Sequence, residues 1–152
     1  MSRPRNVFIC VALGLLLASP ALAAGSYEAE LDPTPFDATT RADVIGSIGN
    51  VTATLDGSTL TVHGSFSKLA SPATAGSFRI GLAKGVPGDA IGSVTVTHAR
   101  QGEVSGSIKL SSAQKAALDR EQLYIRIDSE KAPDGNLQGW LEVPAAHTPG
   151  NS

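Results

Sequence analysis

LYIRIDSEKAPDGNLQGWLEV (residues 123–143) reads as two strands joined by a tight turn. Leu123, Ile125 and Ile127 alternate with Tyr124, Arg126 and Asp128. Farther on, Leu137, Gly139, Leu141 and Val143 alternate with Gln138, Trp140 and Glu142. Alternation with period two gives each strand one buried and one solvated face. Between the runs, Pro133-Asp134-Gly135-Asn136 is turn chemistry: Pro presets φ, Gly supplies a positive φ, and Asp and Asn bond to nearby backbone. The stretch predicts an antiparallel β-hairpin, with Tyr124, Arg126 and Trp140 turned away from the core.

Working upstream, Ser111 and Gln114 form a capping box for one short helix, whose apolar face is Ala117 and Leu118. Residues 91–97 and 103–110 read as a strand pair joined across 98–102, and 77–82 as a further strand with Phe78, Ile80 and Leu82 inward. The segment 48–66 is a hairpin in which Asp56-Gly57 signals a two-residue type I′ turn. That turn would set Leu55 against Ser58, Ala53 against Leu60 and Val51 against Val62, leaving a Thr-rich ladder and His63 on the other face. A first strand over 27–31 precedes a loop, 32–43, that carries two prolines. Seven or eight short strands at regular spacing, with turn signals between them, predict a β-sandwich or closed barrel.

The first 23 residues have the form of a secretory leader. Arg3 and Arg5 make a basic start, residues 7–17 an apolar stretch too short to span a bilayer comfortably, and Ala21-Leu22-Ala23 an A-x-A cleavage site. Cleavage after Ala23 would leave about 129 residues, enough for one domain that buries roughly two-thirds of its unfolded surface. It also removes Cys10, the only cysteine, and with it disulfides, thiolate metal ligands and thiol nucleophiles. Losing Arg3 and Arg5 takes the net charge from −2 to −4. With no basic stripe and few aromatics, nucleic acid is not an expected partner. No second long apolar run follows, so membrane insertion after cleavage is not expected either. Residues 144–152, PAAHTPGNS, read as a disordered tail.

The pattern of residues 123–143, a strand, a short Pro/Gly turn and a strand with Gly139 near its middle, resembles the C-terminal signature of the CHRD (chordin-type) domain family. The likeness runs through nearly all of 24–143 and includes the proline-containing link after the first strand. It implies an all-β, Greek-key antiparallel sandwich of seven or eight strands, with one short helix before the last hairpin. It also implies an exported binding or structural module, periplasmic or extracellular, that acts through protein–protein contact and not as an enzyme. Many CHRD domains carry a His-x-His in the strand matching 77–82 and another His in the first strand of the last hairpin. Imidazoles on one face could share a metal. Here Arg79, Gly81 and Asp128 stand at those positions, so no metal or other cofactor is expected. The alternative of a metal-binding or redox protein with superoxide-dismutase-like architecture loses its candidate ligands. If Arg79 and Asp128 are neighbours, as the resemblance implies, they form an ion pair; the competing use of Arg79 is an anionic-ligand site with Arg126.

Trp140 is the sole tryptophan. An exposed cluster of Tyr124, Arg126 and Trp140 has the composition of an interaction hot spot. The same residues also fit a cross-strand staple, with Arg126 stacked on an aromatic ring. The candidate binding residues are therefore Tyr124, Arg126, Trp140, Arg79 and Asp128, facing a protein partner. Glu28, Glu30 and Asp32 alternate on the first strand, the pattern of a solvated face or of a weak Ca²⁺ site without a known loop spacing. No Gly-x-Ser-x-Gly, His-Glu-x-x-His or phosphate-binding glycine loop is present.

Overall fold

The computed structural model describes residues 24–145. The expected leader, residues 146–152 of the expected tail, and His147 lie outside them. Eight antiparallel strands run β1 Gly25–Pro33, β2 Ile48–Asp56, β3 Thr59–Ser67, β4 Ala73–Ile80, β5 Asp89–Val96, β6 Gly102–Lys109, β7 Leu123–Ser129 and β8 Leu137–Trp140. Helix α1, Arg41–Val44, is a single turn in the β1–β2 link that the sequence did not signal; α2, Ser112–Asp119, is the expected helix before the last hairpin. Its capping box is formed in both directions: the Ser111 hydroxyl accepts from the Gln114 N–H, and the Gln114 side chain accepts from the Ser111 N–H.

Around the sheet the order is β1-β2-β3-β6-β5-β4-β7-β8, and it closes on itself. Strands β4, β5 and β6 follow one another as a meander, while β7 returns beside β4, which is Greek-key connectivity. The expectation of an open sandwich is corrected here, because the strands form a closed barrel. Two features close it. Strand β5 pairs with β4 through Ile80↔Asp89 to Gly76↔Val94, then with β6 through Thr95↔Ser105 and Val96↔Val104, so it turns the corner between the two halves. At the other seam β1 meets β8: Asp32 pairs with Gln138, Pro33 with Leu137, and Glu28 and Glu142 exchange backbone hydrogen bonds of 2.8 Å. Gly139 permits that seam, since a Cβ there would run into the Glu30 carbonyl.

The 48–66 hairpin forms with a different turn from the expected one. Asp56 pairs with Thr59, so the loop residues are Gly57 and Ser58. Gly57 takes φ 61° and Ser58 is not among the positive-φ residues, an arrangement with Gly at the first central position, as in type II′. A type I′ turn on Asp56-Gly57 would have forced Asp56 to positive φ as well. Pairing therefore shifts by two residues, with Val51 opposite Gly64 and Ala53 opposite Val62. An even shift leaves every side chain on its expected face.

The interior is filled by inward residues of every strand, among them Leu31, Val51, Val62, Phe78, Val94, Val104, Ile125, Ile127 and Leu137. Leu82 is a correction: it is 88 % exposed, because the chain leaves the sheet after Ile80. Residues 81–88 instead fold back over the outside of the barrel. No helix among the described residues is long and apolar enough to cross a membrane.

Candidate binding face

On the outer face of β7, Tyr124 lies between Arg79 of β4 and Trp140 of β8. It points away from the core, as alternation requires, but it is not exposed: its accessibility is 0 %. The 81–88 loop covers it. The Tyr124 hydroxyl accepts from the Gly88 N–H at 2.9 Å and from Arg79 Nε at 3.1 Å, and donates to the Gly88 carbonyl at 3.1 Å. Those three bonds use the whole capacity of a phenol. Lys84 fastens the same loop, with Nζ 2.6 Å from Glu142 and 3.0 Å from Glu121. Its hydrogen bonds to Glu142 and then Glu121 raise its pKa above the ordinary lysine value.

The pairing expected between Arg79 and Asp128 is also corrected. Arg79 stands opposite Tyr124, whereas Asp128 stands opposite Ala75, too far along the strand to meet it. Asp128 pairs instead with Arg126, two residues away on its own strand, at 2.8 Å. Arg79 Nε is turned to the Gly88 carbonyl at 3.0 Å. Both arginines are thus engaged by the fold, and the structure does not bring them together as a free anion-binding pair. The cross-strand staple is present, but Tyr124 and Trp140 make it, with ring centroids 4.8 Å apart and planes 24° from parallel.

Trp140 is half-buried, and its indole N–H is buried without a hydrogen-bond partner. One face of the ring is taken by Tyr124. Continuing the β1–β8 register between Asp32↔Gln138 and Glu28↔Glu142 sets Glu30 opposite Trp140. Here an open groove of about 810 Å³ runs across the outer face of β8, β1, β2 and β3. Its lining includes Trp140, Glu28, Glu30, Asp32, Asn50 and His63. Sequence reasoning noticed the alternation of Glu28, Glu30 and Asp32 but did not join it to Trp140. The missing information was the neighbour of β1: pairing with β8 joins opposite ends of the described chain, and no local pattern encodes it.

A family model for the CHRD domain matches residues 22–141. The chain belongs to the CHRD domain family. No curated protein and no solved structure matches it. In this CHRD domain the Gly139 of the hairpin signature has a physical reason, the close approach of β1 that closes the barrel. Arg79, Gly81 and Asp128, the three positions matched by resemblance to histidines, do not converge: Arg79 is bonded to Gly88, Gly81 is buried beyond the end of β4, and Asp128 is paired with Arg126. Among the described residues, no group of three or more His, Cys, Asp or Glu is arranged to hold a metal.

Proposed function

We propose that this CHRD domain is an exported, non-enzymatic module that works by binding a protein partner across the groove edged by Trp140. The observation that carries the reading is the setting of that ring. The single tryptophan of the chain is held rigid from one side by a fully buried tyrosine and left accessible on the side of a groove. Pre-ordered aromatics lose little conformational freedom on contact, and Trp, Tyr and Arg are the residue types enriched where binding energy concentrates. Of the candidate binding residues, Trp140 is then the contact group, while Tyr124, Arg79, Arg126 and Asp128 support it. The leader-like residues 1–23 support export to the periplasm or the cell exterior.

The test uses the exporting cell. A photo-crosslinker replaces Gln138, which lines the groove, or Thr74, an exposed residue on β4 away from it. A discrete protein adduct is expected from position 138 and not from position 74. Trp140→Ala should then weaken the captured partner by about 2 kcal/mol or more, roughly 30-fold in Kd, measured with both purified proteins. Equal crosslinking from both positions, or an affinity that Trp140→Ala leaves unchanged, would remove the proposal.

A further inference from the structure

Charge divides the outer face sharply. Glu142 is occupied by Lys84, and Asp128 by Arg126. Glu28, Glu30 and Asp32 are exposed, and among the described residues no Lys or Arg forms an ion pair with them. Neither Lys nor Arg lines the groove, and His63 is its one basic side chain. The three carboxylates stand at successive outward positions of β1, about 7 Å apart along the strand. That spacing does not suit one metal ion, whose oxygen ligands lie about 2.3–2.6 Å from it. It suits a row of long cationic side chains arriving from another chain. Trp140, which lines the same groove as Glu30, is also a ring that attracts a cation. Toward the start of β2 the groove continues into a second depression of about 380 Å³ that shares Glu30, Asp32, Asn50 and Ser65 and ends at Ile48, 48 % exposed. An apolar contact is thus available next to the carboxylates.

We infer that the partner presents a cationic segment to this groove, with lysine or arginine side chains over Glu28, Glu30 and Asp32 and one cation against Trp140. The inference rests on the binding role proposed for the groove and adds the chemistry of what enters it. Attraction between largely exposed charges is modest per pair and is screened by salt. Recognition by a row of three carboxylates therefore predicts cumulative weakening on neutralisation and a steep salt dependence.

The probe is hexalysine, with hexaglutamate as its counterpart, titrated against the folded protein while Trp140 fluorescence is followed. A saturable change is expected with hexalysine and none with hexaglutamate. Glu28→Gln/Glu30→Gln/Asp32→Asn should weaken hexalysine by about tenfold, as should raised salt. The control Glu130→Gln/Asp134→Asn, which neutralises carboxylates outside the groove, should not. Glu30→Lys repeats the test with one substitution, and thermal unfolding verifies that each variant is folded. No saturable response to hexalysine, or equal affinity in the wild type and the triple variant, would overturn the inference. The crosslinked partner separates this from the parent reading. If Trp140→Ala weakens that partner but the triple variant does not, the binding face stands and the cationic segment falls. If neither variant weakens it, both fall.

Discussion

Tyr124→Ala is expected to lower stability by about 3–5 kcal/mol, the cost of truncating a large buried aromatic. Alternation alone places Tyr124 on the solvent side of β7, where such a change would be mild. The structure places it under the 81–88 loop with no exposed surface. Its ring supports Trp140, and its hydroxyl ties Gly88 and Arg79 to the barrel. Tyr124→Phe separates the two contributions. It keeps the stack and removes the hydroxyl, leaving the Gly88 N–H without its partner while Arg79 still holds the Gly88 carbonyl, for a loss of about 1–3 kcal/mol. Urea unfolding of the wild type and both variants measures the series. A Tyr124→Ala variant within about 1 kcal/mol of wild type would mean that the loop does not cover this residue in solution.

The second large effect is at the β1–β8 seam. Gly139→Val should destabilise by at least the roughly 1–3 kcal/mol typical of overpacking. The obstacle is the backbone carbonyl of Glu30, which cannot rotate aside as a side chain could. Gly139→Ala should follow the same direction with a smaller effect. The damage should be local before it is global: the Glu28 and Glu142 amides, which bond to each other's carbonyls, should lose hydrogen-exchange protection first. Unchanged melting temperature and unchanged protection in Gly139→Val would contradict a closed barrel.

Most of the fold is legible in the sequence because it is local. The last hairpin, the α2 capping box and the inward rows of Phe78, Ile125 and Ile127 all follow from period, turn residues and caps. The hairpin between β2 and β3 shows how an error can remain harmless: the turn moves from Asp56-Gly57 to Gly57-Ser58, and the faces survive because the shift is even. What escapes is long-range. Closure depends on β1 meeting β8, and the burial of Tyr124 depends on where a Gly/Pro loop folds back, neither of which has a period to read. The candidate site divides in the same way. Its aromatic pair is visible within residues 123–143. Its carboxylate row is visible on β1, but their joining through Glu30 and Trp140 depends on the closed barrel.

The most direct test of that joining is selective quenching of Trp140, which needs no partner. Caesium and iodide are compared as quenchers, each normalised to its effect on a free tryptophan derivative. A half-buried indole on the wall of an acidic groove should be reached by both, but by the cation in clear excess over the anion, and the excess should shrink in Glu28→Gln/Glu30→Gln/Asp32→Asn and in high salt. An indole reached by neither ion, or by iodide as readily as by caesium, would contradict the placement of Trp140 on an acidic binding groove.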